Sequence, residues 1–223
     1  MSSNDRPHIV RFGEAALVLD APGKMDLHAQ QRVWALDAAL KEQAGIVETG
    51  MGMGNLLVSF DPDRWRAEAL ADWLRDAWAR LEPLEIKGRV WEFPVIYGGA
   101  RGPDLATVAA HAGVTPDEAA RMHAARDYII FAPSVTPGFG YLYGVDPALV
   151  LPRKQVPILL REPGTISIAG VQATIGMTPG PSGWHALGHT PPFDHPFDPH
   201  RDPPLRVAVG DRIRFTIRDV LPC

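Results

Sequence analysis

Apolar positions near the N-terminus switch between two periods. His8–Phe12 and Ala15–Leu19 are short strand-like runs on either side of Gly13-Glu14, which predicts a hairpin. From Asp26 to Ala44 the spacing becomes helical. Leu27, Val33, Trp34, Leu36 and Leu40 form one apolar stripe, and Gly45 is placed to end it. Ile46–Thr49 and Leu56–Phe60 read as two further strands. Asp61-Pro62 then opens a second helix, with Asp as N-cap and Pro at the first helical position. Its stripe is Leu70, Trp73, Leu74, Ala77, Trp78 and Leu81. The order ββαββα predicts an α+β domain over residues 1–86, both helices on one face of an antiparallel sheet.

Pro83 and the charged IKGR segment mark a boundary, and a second domain, residues 87–223, starts with a strand at Val90–Tyr97. Pro103–Ala112 reads as a short helix. Thr115 to Glu118 is a capping box that opens another, running to about Ala125. From Phe131 to Pro191, proline and glycine interrupt short apolar runs every few residues, the texture of a β domain with long loops. Tyr141, Tyr143, Arg153, Gln172, Trp184, His185 and His189 sit at or beside those breaks, where binding groups concentrate on a rigid scaffold. Leu205–Val209 and Arg212–Arg218 suggest a closing hairpin around Gly210-Asp211, with Ile213, Phe215 and Ile217 pointing inward.

Composition narrows the function classes. The 46% apolar and 22% charged residues are those of an ordinary globular protein. The net charge of −4, with no basic run, argues against nucleic acid or an anionic membrane as partner. MSSNDRPHIV lacks a secretory pattern, and no apolar run reaches membrane-span length. Cys223 is the only cysteine, which rules out an internal disulfide or a cysteine metal cluster and fits a cytoplasmic location.

Four motifs resolve to bland readings. Gly50 to Gly54 alternates glycine and methionine but leads into the strand LLVSF without a lysine, so a turn is expected rather than a phosphate loop. YGGARGPDL lacks the GK[ST] of a P-loop. The two short helices joined through Gly113 superficially resemble a helix-turn-helix, yet offer Asp117 and Glu118 where a recognition helix needs basic and amide groups. His185, His189, Asp194, His195, Asp198 and His200 cluster in sequence, which raises a metal site. Gly188 and Pro191-Pro192 oppose a helix, and on a strand residues four apart lie about 13 Å apart. No metal site is assigned; the DHPFDPHRDPP segment reads as a proline-stiffened loop.

Longer motifs carry a resemblance. VIYGGARGPDLATVAAHAGVTPDEAARMHAARDYII, PGFGYLYGVDPALVLPRK, PGTISIAGVQ and SGWHALGHTP, with RFGEAALVL and NLLVSFDP nearer the N-terminus, resemble one family over nearly the whole chain. It is the family of the 5-oxoprolinase B-type component, the allophanate hydrolase subunit 1 domain and the sporulation-kinase inhibitor, a module that also forms half of the carboxyltransferase domain of urea carboxylase. The resemblance implies an α+β domain followed by a cyclophilin-like β-barrel. It also implies two partners, a homologous barrel-bearing C-type subunit and an ATP-using A-type subunit. Together these open the lactam of 5-oxo-L-proline to glutamate. No cofactor is expected on this chain itself, since it carries no ATP or biotin motif.

The residues make chemical sense in that role. Gln172 both donates and accepts, which suits an amide edge. Arg153 can pair a carboxylate or phosphate with two parallel bonds. His123, with an unperturbed pKa near neutrality, is the candidate acid/base that completes the catalytic set. Tyr141 and Trp184 offer apolar walls with polar tips, and Thr190 with the backbone of Gly138 could hold a developing oxyanion. Phe139 and His189, from the same motifs, complete the expected substrate-binding set. Taken singly, Trp184 and His123 also read as core residues, Arg153 as a surface ion pair and the PGFG glycines as turns.

Several positions depart from the family pattern. FAPSVTPGF replaces an LGFAPGF-like run, Val171 stands where asparagine is typical, and ATIGMTP replaces a TGIYP-like run so that its tyrosine is gone. His185 and His189 replace a glutamine and an arginine, exchanging a forked cation for a titratable ring. The chain is therefore a divergent member. Two alternatives stay open: a carboxyltransferase or allophanate-hydrolase-type subunit acting on urea or a similar amide, and a non-catalytic inhibitor of a histidine kinase.

Overall fold

The computed structural model describes residues 5–135, 137–191, 193 and 196–223. The chain divides into two compact units, Met1–Glu85 and Ile86–Cys223, each with its own core.

In the first unit, β1 (His8–Arg11), β2 (Ala16–Asp20), β3 (Ile46–Met51) and β4 (Asn55–Phe60) form an antiparallel sheet in the order β1-β2-β4-β3. Alternate residues Leu17, Leu19, Leu56, Val58 and Phe60 lie on one face. They pack with Val33, Leu36 and Leu40 of α1 (Leu27–Lys41) and Leu70, Leu74 and Trp78 of α2 (Ala67–Arg80). Asp26 caps α1 by accepting from the Ala29 N–H at 2.8 Å. The Gly50 to Gly54 run is a hairpin turn: Gly52 N–H donates to the Asn55 carbonyl at 3.0 Å, and the buried Gln30 amide accepts from Gly54 N–H at 2.7 Å.

One helix starts later than its sequence suggests. Asp61 caps a separate turn, its carboxylate accepting from Asp63 N–H at 3.0 Å and its carbonyl from Arg64 and Trp65. Trp65 then donates its indole N–H to the Ala44 carbonyl at 3.0 Å, and Arg66 is extended, so α2 begins at Ala67 with no side-chain cap. Tertiary anchoring of Trp65 overrides the Asp-Pro start signal.

The second unit is a closed seven-stranded barrel. Its strands are β5 (Val90–Gly98), β6 (Asp127–Pro133), β7 (Gly140–Tyr143), β9 (Thr165–Ala169), β10 (Gln172–Ile175), β12 (His185–His189) and β13 (Arg212–Leu221), closing in the order β10-β7-β6-β13-β5-β12-β9. Its interior takes alternate residues, among them Val95, Tyr97, Leu142, Ile168, Ile175 and Phe215. The short helices α3 (Leu105–Ala112) and α4 (Pro116–Ala124) add Leu105, Val108, Ala119 and Ala120 to the same core. Between them Gly113 adopts φ 71°, the left-handed conformation of a helix C-cap. A separate two-stranded sheet pairs β8 (Ile158–Arg161) with β11 (Gly180–Ser182).

The C-terminus departs from the expected hairpin. β13 pairs parallel with β5 and antiparallel with β6, so both its edges are taken and Leu205–Val209 has no edge to join. The buried Asp211 carboxylate instead gathers Arg89 N–H at 2.8 Å, the Trp91 indole N–H at 2.9 Å and Ala208 N–H at 3.0 Å, folding residues 208–211 into a turn. Ile213 and Phe215 are buried as expected. Ile217 is 41% exposed because pairing with β6 covers only Arg212–Arg214. No helix among the described residues is long and apolar enough to cross a membrane.

Candidate functional site

The strand alternation that fills the barrel also furnishes its outer face. On β7, Leu142 points inward and Tyr141 outward; on β10, Ala173 and Ile175 are core, leaving Gln172 and Thr174 on the other face. Tyr141 and Thr174 join residues of the β8–β11 sheet and of the segment before it around a cavity of about 370 Å³. Arg153, Arg161, Gly176 and Trp184 complete its principal lining.

Aromatic rings form part of this lining. Tyr141 stacks on Trp184, ring centroids 5.8 Å apart and planes inclined by 30°, and the Arg153 guanidinium lies 5.6 Å from the Trp184 ring centroid. Backbone and ionic ties hold these groups in register. Lys154 N–H donates to the Gly183 carbonyl at 2.7 Å, linking the residues after Arg153 and before Trp184. The Lys154 ammonium reaches both oxygens of Asp104, at 2.8 and 2.9 Å, and Asp104 also accepts from Ala186 N–H at 2.8 Å.

Sequence reasoning does not single out Arg161. It is half-buried at the end of β8, and its Nε is buried without a hydrogen-bond partner among the described residues. Burial lowers its pKa, an effect partly opposed by the neighbouring Tyr141. No acidic residue lines the cavity among the described residues, and neither guanidinium forms an ion pair there. A small cavity with two guanidiniums that no described residue neutralises, aromatic walls and a threonine suits a compact planar anion.

The expected site residues separate into two groups. Arg153, Tyr141 and Trp184 are brought together by the cavity. Gln172 shares the outer face of β10 with Thr174 but lies two residues along the strand, opposite Tyr143, and does not line the cavity. The others lie elsewhere. Phe139 is a core residue, only 4% exposed, packed edge-on against Phe93 at 5.9 Å. Gly138 has φ 119° and is packed tightly beneath Pro196, so its role is conformational. His189 ends β12 and Thr190 follows it, neither lining the cavity; Thr190 N–H donates to the Gly164 carbonyl at 2.9 Å. Burial, and then Arg101, lower the pKa of His189. His185 is buried and donates from Nε2 to the Pro152 carbonyl at 2.9 Å. Asp194 and His195, weighed for a metal, lie outside the described residues, and no potential metal cluster occurs among those described.

His123 lies apart from its expected position. It is fully buried on the inner face of α4, where Ala119, Ala120 and His123 turn into the core. Its Nδ1 shares a 2.8 Å hydrogen bond with the Tyr97 hydroxyl, and its ring packs against Phe215 at 4.9 Å and Tyr128 at 5.1 Å. Burial pushes its pKa down to about 3. His123 does not line the cavity, and a fully buried imidazole held neutral there acts in the packing of the core.

Comparison with known proteins places these features in a family context. The family described as carboxyltransferase domain, subdomain C and D, matches residues 7–207. The B-type component of 5-oxoprolinase from Escherichia coli O157:H7 is 37% identical over 205 residues, covering 92% of this chain and 93% of that protein. The crystal structure of TTHA0988 superposes with a TM-score of 0.72 at 32% identity, over 96% of this chain and 41% of that one; the present chain thus spans about two fifths of its length. Kluyveromyces lactis urea carboxylase, at 16% identity, shares the fold with a TM-score of 0.78 over 95% of this chain and 22% of its own.

Proposed function

The chain belongs to the carboxyltransferase subdomain C and D family, and from that premise we propose that it is the B-type component of an ATP-dependent 5-oxoprolinase. The observation that carries this is the 37% identity to a protein of that name over nearly the full length of both. The complex opens the lactam of 5-oxo-L-proline to glutamate, and ATP is used by a partner subunit rather than by this chain. The cavity beside Trp184 receives the substrate: Arg153 pairs the carboxylate and Tyr141 with Trp184 flanks the flat ring. Because His123 is sealed in the core, proton transfer falls to groups of a partner or to water.

The partners are a homologous barrel-bearing C-type subunit and the ATP-using A-type subunit. β8 and the residues just before it support a docking role, since Val156, Leu159 and Leu160 are 79%, 89% and 61% exposed close together in sequence. The test is kinetic. The three subunits are co-expressed, and glutamate release from 5-oxoproline and ATP is measured with wild-type chain and with Arg153→Ala. Loss of a bidentate carboxylate contact should lower kcat/KM at least tenfold, through KM first. Unchanged kinetics would remove Arg153 and this cavity from the substrate site.

A further inference from the structure

Arg161 and Gly176 are sterically matched. A Cβ built on Gly176 would stand 2.6 Å from Arg161 Nε and 2.7 Å from its Cζ, closer than non-bonded atoms approach. The guanidinium therefore occupies the space that any side chain at position 176 would take. Position 176 lies within the ATIGMTP run, the stretch from which the family-typical tyrosine is missing. Two backbone bonds fix this spot: Gly176 N–H donates to the Thr165 carbonyl at 2.9 Å, and its own carbonyl accepts from Gly164 N–H at 2.7 Å. The fit places the guanidinium beside Gly176 and Tyr141, both of which line the cavity that also holds Arg153.

We propose that this cavity is a site for a small dianion, one acidic group to each of Arg153 and Arg161, with Gly176 as the specificity-determining residue that admits the second cation. Each guanidinium can bind an oxyanion through two parallel donors, and neither is neutralised by a carboxylate among the described residues. The Nε of Arg161 is buried with no hydrogen-bond partner among the described residues, so no described side chain ties the guanidinium down. 5-Oxoproline brings one carboxylate and a neutral lactam, so it occupies half of this charge pattern. The second acidic group is either another carboxylate or a phosphoryl group. The inference rests on the proposed reading of this cavity as the ligand site.

Binding of three probes to the purified full chain tests it by calorimetry: 5-oxoproline, succinate, and phosphonoacetate, which joins a carboxylate to a phosphonate. The expected result is at least tenfold tighter binding of one dianion than of 5-oxoproline. Preference for succinate identifies a dicarboxylate site, and preference for phosphonoacetate a phosphoryl site. Arg161→Gln should bring the three affinities together. Gly176→Val, which displaces the guanidinium without removing it, should do the same, and circular dichroism should show both variants folded. Equal or undetectable binding of all three probes by the wild-type chain would overturn the proposal, as would a preference that survives in Arg161→Gln. Glutamate release by the assembled complex is read separately. Its failure alongside a retained dianion preference would refute the lactam substrate and leave the dianion site standing.

Discussion

Replacing His123 with glutamine separates a structural histidine from a catalytic one, because the two roles predict opposite readouts. In the folded chain burial holds the imidazole neutral, with its pKa down at about 3 against an ordinary 6.5. The unfolded chain therefore binds more protons than the folded one throughout the window between those values, and stability rises with pH across it. The contribution is fully present above pH 6.5 and is lost progressively as pH falls toward 3. Between pH 7.5 and pH 5.0 the loss is about 2 kcal/mol, from RT ln(1 + 10^1.5) with the unfolded pKa near 6.5. That figure requires only that the folded pKa lie well below 5. Glutamine can still hydrogen-bond Tyr97 but does not titrate, so urea melts followed by circular dichroism at the two pH values should show a pH-dependent loss smaller by about 2 kcal/mol in His123→Gln. The variant should be less stable than wild type at pH 7.5, since it replaces a ring packed against Phe215 and Tyr128. Identical pH dependence in both proteins would refute the burial argument. Loss of turnover in a His123→Gln complex whose stability and assembly are intact would restore the catalytic role.

Other positions give sharp expectations. Asp104→Ala removes the partner of the Lys154 ammonium and the acceptor of Ala186 N–H, and should cost about 2–4 kcal/mol in urea melts while raising KM through displacement of Arg153. Gly188→Ala drives a Cβ into the Ile96 carbonyl oxygen across the β12–β5 pair, well inside contact distance, and should destabilise by about 1–3 kcal/mol in the same assay. Trp184→Ala removes the ring that Tyr141 and Arg153 contact, and should weaken 5-oxoproline binding at least fivefold by calorimetry. The pair Leu159→Asp and Leu160→Asp, on an exposed strand, should leave melting unchanged but abolish co-purification with the C-type subunit.

The α+β unit was legible because its elements obey simple periods: Val33, Leu36 and Leu40, the Leu70-to-Trp78 stripe and the Leu17, Leu19, Leu56, Val58 alternation bury where the pattern places them, while Leu27 at the start of α1 stays outside that core. The capping box at Thr115 likewise marks a helix start, with Glu118 N–H donating to the threonine hydroxyl at 3.2 Å. Asp61 misled because its cap closes a local turn instead of a helix. Ile217 misled because inward alternation holds only while a strand has neighbours on both sides.

The site was only half legible. Tyr141, Arg153 and Trp184 come from motif residues that the chain brings to one cavity. His123 carries the same chemistry in sequence, but what matters is the α4 face on which it sits, and that face is core. Phe139 is its counterpart among the expected substrate-binding residues: it precedes β7, and its ring packs into the barrel core against Phe93. Arg161 went unseen because nothing in LLREPG distinguishes a cavity arginine from a surface one. Its signal is a glycine fifteen residues on in sequence (Gly176) whose missing side chain makes room for it.

Affinity purification of the tagged native chain, followed by assay of the eluate with ATP and 5-oxoproline, tests the assignment to 5-oxoprolinase most directly. Co-purification of a barrel-bearing subunit and an ATP-using subunit, with ATP-dependent release of glutamate, is the predicted result. Recovery of both partners with no glutamate from 5-oxoproline, or of a histidine kinase in their place, would contradict it.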